Sequence, residues 1–157
     1  MVETVSDPME IALAEAEAAA ARDEVPIGAV VVEMATGRVI ARAGNRVEEL
    51  KDPTAHAELL AIREAARVLG AKRLPETELW VTLEPCPMCA QAASFARVAR
   101  LVFAADDPKG GGVLHGPRIF EQSSCFHRPV LARGSEAQAQ RAGDLLRGFF
   151  KAKRAGC

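Results

Sequence analysis

The chain has 157 residues, which suits one domain spanning 1–157 and leaves little room for a second. Apolar side chains make up 49%, enough to fill a core, so general disorder is excluded. No apolar stretch approaches the roughly 20 residues needed to cross a bilayer. The acidic start Met1-Val2-Glu3-Thr4-Val5-Ser6-Asp7 lacks the basic end and apolar centre of a secretory signal, so a soluble cytoplasmic protein is expected. The net charge of −1 is unevenly spread: residues 1–90 hold 9 basic and 16 acidic side chains, residues 91–157 hold 11 basic and 5 acidic. Such asymmetry fits a nucleic-acid footprint, although by itself it is more often an ordinary solvated surface.

Asp7-Pro8 is a helix start, a capping side chain followed by proline at the first helical position. The Ala- and Glu-rich run from Met9 to Asp23 predicts the helix itself. Val25 to Val32 is a β-branched run that reads as a strand buried on both faces. After the turn at Thr36-Gly37, Arg38 to Ala43 reads as a second strand. Asp52-Pro53-Thr54 precedes a helix from about Ala55 to Leu69, closed by Gly70. Leu79 to Leu83 is the next strand, Pro85-Cys86-Pro87 opens a helix to about Val98, and Leu101 to Ala105 is a further strand. Asp106 to Gly116 is a glycine-rich loop, 117–134 has no clear pattern, and Glu136 to Lys153 is a terminal helix with the basic run Arg147 to Arg154. This alternation predicts an α/β fold, a sheet with helices on both faces.

Of the four cysteines, Cys86 and Cys89 form a close pair, which in a cytosolic chain points to metal or redox chemistry. Three apart on a helix, they share a face and can reach one ion. If the strand before Cys86 brings that helix start beside His56, three protein ligands leave the fourth tetrahedral position to water, the arrangement of a catalytic zinc. His56-Ala57-Glu58 places a glutamate two residues from the metal histidine. Glu58 can take the water proton and deliver protons to the ring nitrogen and the leaving amine. Both half-motifs start helices, where unpaired N–H groups favour thiolates and a zinc-bound hydroxide. Each alone is weak: His-x-Glu occurs by chance, and Cys-Pro-x-Cys after a strand also suits a thioredoxin-like redox pair.

Together, His-x-Glu and Pro-Cys-x-x-Cys form the signature of zinc-dependent nucleobase deamination. At these residues the chain resembles the cytidine deaminase-like superfamily, which implies a three-layer α/β/α fold with a central mixed sheet of about five strands. Asn45-Arg46, Asp52 to Glu58, Val81 to Cys86, Ala105 to Gly111 and the closing Phe149-Phe150 resemble the bacterial tRNA-specific adenosine deaminases more narrowly. That resemblance implies hydrolysis of the wobble adenosine of a tRNA anticodon to inosine, Zn2+ as cofactor, the anticodon stem-loop as partner, and a homodimer. Residue by residue it implies His56, Cys86 and Cys89 as zinc ligands and Glu58 as proton shuttle. Asn45 would contact the base, Ile27 would form an apolar pocket wall, and Asp107 and Lys109 would lie near the flanking nucleotides. Asn45 also reads as a turn residue, and Asp107 and Lys109 as a solvated turn beside Pro108.

Gln91, where the family usually has a small residue, and Gly112 to Phe126 depart from the family pattern. His115, Cys125 and His127 read as solvated or packed loop residues rather than as a second metal site, with His127 also able to face RNA. The basic terminal helix suits phosphate contact, and Phe149 and Phe150 suit packing or base stacking. Three other readings stay open: a deaminase of a free base or nucleoside such as guanine or cytosine, a non-catalytic protein with a structural zinc, and a redox protein.

Overall fold

A computed structural model describes residues 3–156; Met1, Val2 and the fourth cysteine, Cys157, lie outside the described residues. The helices are α1 (Pro8–Ala21), α2 (Val47–Leu50), α3 (Ala57–Leu69), α4 (Pro87–Ala96) and α5 (Glu136–Ala155). The strands are β1 (Gly28–Glu33), β2 (Val39–Gly44), β3 (Thr77–Leu83), β4 (Arg100–Ala105) and β5 (Val130–Arg133).

The local signals in the chain act as expected. Asp7 caps α1 by accepting the Met9 N–H, and Pro8 occupies the first helical position. Gly70 ends α3 in the left-handed conformation at φ 62°, which costs glycine nothing. Ser135 and Gln138 form a reciprocal capping box at the start of α5. Three boundaries differ from expectation. Val25 to Ile27 stays outside β1, which begins at Gly28 and whose next four residues are fully buried. The short helix α2 was not visible as a pattern. The patternless stretch holds a 3-10 turn at Ile119–Glu121 and the edge strand β5. All four β5 residues keep some exposure, so no apolar alternation marks the strand.

The sheet order is β2-β1-β3-β4-β5. β1 runs antiparallel to both β2 and β3, while β3, β4 and β5 run parallel. Consequently β2, β3, β4 and β5 all point one way, and their carboxyl ends share one edge of the sheet with the start of β1. Successive side chains divide between the two faces. Val31, Leu79, Val81, Leu101 and Phe103 pack with α3 and α4, whereas Val30, Val32, Val102 and Ala104 pack with α1 and α5. The result is the expected three-layer α/β/α arrangement around a five-stranded mixed sheet. Leu79, Leu101 and Phe103 are fully buried, each contributing about 1.5–3 kcal/mol of transfer free energy. Gly28 marks the tightest approach: a Cβ there would run into the Ala12 carbonyl of α1, so the α1 backbone lies directly on β1.

Candidate active site

The shared edge of the sheet collects the residues singled out in the sequence. Ile27 precedes β1, Asn45 follows β2, Cys86 follows β3 and Asp107 follows β4. Backbone bonds knit the edge together: Asn45 N–H donates to the Ile27 carbonyl at 3.1 Å, and Glu84 N–H to the Ala105 carbonyl at 2.8 Å. The carboxyl edge of parallel strands is where open α/β sheets build ligand sites.

His56 occupies the N-cap of α3 and Cys86 the N-cap of α4, both with extended backbones, and Pro87 is the first residue of α4. Their parent strands are parallel neighbours across β1, so the two helix starts meet. His56 Nδ1 lies 3.6 Å from Cys86 Sγ and 3.6 Å from Cys89 Sγ. The donor atoms of His56, Cys86 and Cys89 all lie within 4.8 Å of one another, so the three could hold a metal ion. Zn–S bonds of about 2.3 Å and a Zn–N bond of about 2.0 Å at a tetrahedral angle place S and N roughly 3.5–3.6 Å apart. The observed spacing therefore fits zinc, with three protein donors and one position for water.

Charge behaves accordingly. The Cys86 thiol is pulled down to about 4, first by the hydrogen bond from Cys89 and then by His56, against its burial. The same bond pushes Cys89 upward, with burial adding to it, so these two sulfurs share a proton and one thiolate is ready at neutral pH. His56 is raised, chiefly by its bond with Cys86 and against burial. Glu58, in the first turn of α3 and only 4% exposed, is pushed up to about 7 by burial, its own backbone N–H opposing and the Cys86 sulfur adding to the rise. A carboxyl that exchanges its proton near neutral pH suits proton transfer.

Asn45 and His56 line one cleft of about 950 Å³, along with Glu24, Phe149 and Phe150. Ile27 and Asp107 line a second cleft of about 650 Å³, bounded by Leu83, Arg147 and again Phe150. Lys109 lines neither cleft and is exposed. Asn45 is buried, and its Oδ1 accepts the Ala57 N–H at 2.8 Å, capping the first turn of α3; its other amide atom, Nδ2, donates to no residue among those described. The loop residues considered as a second metal site go elsewhere. His115 Nδ1 bonds Glu84 at 2.7 Å, Cys125 Sγ donates to the His127 carbonyl, and His127 Nε2 meets the Val98 carbonyl. Gln91 lies beside exposed Phe95 and Phe126.

Two buried carboxylates escaped the sequence reading. Glu24 accepts the backbone N–H groups of Glu48 and Glu49 at 3.0 and 2.8 Å, pinning α2 to the rim of the larger cleft. Glu84 accepts those of Asp107, Val113, Leu114 and His115. Burial would raise Glu84, but the His115 bond and these amides outweigh it and hold the carboxyl below its usual range. Glu84 sits inside the Val81 to Cys86 motif, but no local pattern gives its role or Glu24's, because every backbone partner lies more than 20 positions away.

Residues 2–105 match the family model described as the cytidine and deoxycytidylate deaminase zinc-binding region. The tRNA-specific adenosine deaminase of Agrobacterium fabrum is 56% identical over 146 residues, covering 93% of each chain. A solved structure from a study of A-to-I editing by tRNA:A34 deaminases at the wobble position superposes with a TM-score of 0.84 at 54% identity, covering 88% of this chain and 98% of that one. Guanine deaminase from Nitrosomonas europaea superposes with a TM-score of 0.80 at 26% identity, covering 95% and 87%. With residues 2–105 matching the family model and more than half of its residues shared with a curated member over nearly its whole length, this chain belongs to the tRNA-specific adenosine deaminases, within the zinc-binding cytidine and deoxycytidylate deaminase family.

Proposed function

We propose that the whole chain, 1–157, acts as one deaminase domain that hydrolyses the wobble adenosine of a tRNA anticodon to inosine, with His56, Cys86 and Cys89 holding zinc. The observation that carries this is the buried Glu58, able to exchange its proton near pH 7, in the first turn of the helix whose N-cap is His56, one of three side chains that could hold zinc. Held by these residues, zinc would make a bound water acidic enough to attack at neutral pH. Glu58 is the group that takes a proton from the attacking water, returns it to N1 of the adenine, and carries a second to the ammonia leaving C6. Asn45 Nδ2 is the donor available to hold the base, and Ile27 supplies an apolar wall in the adjoining cleft. Asp107 and Lys109 meet the flanking nucleotides.

RNA rather than a free base is favoured by the shape of the site. One cleft reaches His56, the other lies alongside it across Phe150, and both are bounded by α5, through Lys153 and Arg147, together far more surface than a single base covers. Lys151, Lys153 and Arg154 supply phosphate contacts, and a tRNA substrate implies work in the cytoplasm. A homodimer is part of the same reading. Phe95 and Phe126 are 72% and 86% exposed and lie beside each other with Gln91, an apolar surface suited to a second copy of the chain.

The test is to incubate zinc-loaded protein with an anticodon stem-loop carrying a wobble adenosine, alongside free adenosine, guanine and cytosine. Inosine at the wobble position, absent with Glu58→Ala, is the expected result. Product from a free base or nucleoside alone overturns the RNA assignment and leaves the zinc chemistry standing.

A further inference from the structure

The side chain of Glu84 is completely buried, yet it touches neither the metal triad nor either cleft. Its Oε1 accepts the Asp107 N–H at 3.1 Å and pairs with His115 Nδ1 at 2.7 Å. Its Oε2 accepts the N–H groups of Val113, Leu114 and His115 at 3.1, 2.9 and 3.1 Å. One carboxylate thus gathers both ends of the loop that carries Asp107 and Lys109.

The same loop is pressed against the metal-bearing turn. Gly112 N–H donates to the Pro85 carbonyl at 2.8 Å, and a Cβ at Gly112 would stand 2.5 Å from Pro87 N. A Cβ at Gly111 would collide with Glu84 Oε2 itself. Glu84 is two residues from Cys86, so the atom group that fixes the loop is rigidly tied to the turn that carries a metal ligand.

We propose that Glu84 is a positioning residue that sets the loop 107–115 at a fixed distance from the metal-bearing turn and thereby places Asp107 and Lys109 against the nucleotides flanking the target base. This rests on the assignment of Asp107 and Lys109 to those nucleotides. A carboxylate is needed there because four N–H groups and a ring nitrogen converge on two oxygens. The amide of glutamine would turn a donor toward several of those donors.

The experiment uses the full zinc-loaded chain with Glu84→Gln. Hydrogen exchange at Asp107, Val113, Leu114 and His115 is expected to quicken at least about tenfold, with α4 amides unchanged and one zinc retained per chain. KM for the anticodon stem-loop is expected to rise about tenfold while kcat stays within about threefold, because binding contacts and not the proton-transfer group are disturbed. Combined with Asp107→Ala and Lys109→Ala, the loss should be smaller than the product of the separate losses, since the two changes remove one set of contacts. Unchanged exchange, an unchanged KM, or losses that multiply would each overturn the proposal. If Glu84→Gln sheds zinc or fails to fold, His115→Ala removes one donor from the same carboxylate and should raise KM in the same direction; an unchanged KM then overturns the proposal. If the wild-type protein acts only on a free base, the RNA assignment fails, and the exchange rates still decide whether Glu84 holds the loop.

Discussion

Asn45 Oδ1 accepts the Ala57 N–H at 2.8 Å, so the residue proposed to hold the base also closes the first turn of the helix that carries His56 and Glu58. One amide can serve both because its two polar atoms are separate. The oxygen is committed to the helix, and the Nδ2 donor is left for the cleft it lines.

This separates two variants. Asn45→Asp keeps the oxygen that caps α3, so bound zinc and melting temperature should stay close to wild type. The lost donor should lower kcat/KM for the stem-loop by about tenfold or more, the usual scale for one hydrogen bond to substrate. Asn45→Ala loses the cap as well and should cost about 1 kcal/mol of stability in addition. Equal melting temperatures for the two variants would show that the cap contributes nothing.

Glu58→Gln should retain zinc and lose roughly 10² to 10⁴ in kcat, the range expected for a proton-transfer group. Stability offers an independent check in chelator-treated protein. The carboxyl, raised from 4.5 to about 7 on folding, stays protonated in the folded chain where the unfolded chain has released its proton. Its contribution is therefore fully present below about pH 4.5 and lost as pH rises through about 7. Relative to Glu58→Gln, the chelated wild type should lose stability across that window, by no more than about 3 kcal/mol. Denaturant midpoints measured from pH 4 to 8 give the comparison, and parallel profiles would mean that Glu58 titrates normally.

Chelation of zinc should abolish turnover while far-ultraviolet circular dichroism keeps its folded shape, and activity should return with added zinc. The reason lies in the packing: both faces of the sheet are covered by apolar clusters that include none of His56, Cys86 and Cys89. Melting temperature should still fall, because zinc binds the folded chain. Loss of the folded spectrum on chelation would favour a structural metal instead.

Phe95→Glu should convert the dimer to monomer in sedimentation equilibrium. Phe95 is 72% exposed, so the change should alter monomer stability by less than about 0.5 kcal/mol. A wild-type chain that sediments as a monomer would remove the dimer from the proposed function.

Much of this protein was determined by its sequence alone. Caps, turn residues and β-branched runs placed α1, α3, α4, α5 and the first four strands to within a few residues, because those signals act over one or two helical turns. The chemistry was equally local. Cys86 and Cys89 share a helix face by spacing, and His56 and Glu58 stand two apart at a helix start, so both half-sites were readable before their meeting was.

Tertiary structure decided what depends on distant partners. The joining of the half-sites follows from strand direction, since β1 runs antiparallel to both β2 and β3 and so sends their following helices off from one edge. β5 had no readable pattern because, at the exposed edge of the sheet, parallel backbone pairing with β4 holds it in place. No local pattern foretells the burial of Glu24 and Glu84, and only the folded chain brings their amide partners to them across more than 20 residues. A short stretch of chain sets its own backbone and the spacing of its own side chains, whereas the satisfaction of a buried charge depends on which distant backbone groups packing delivers.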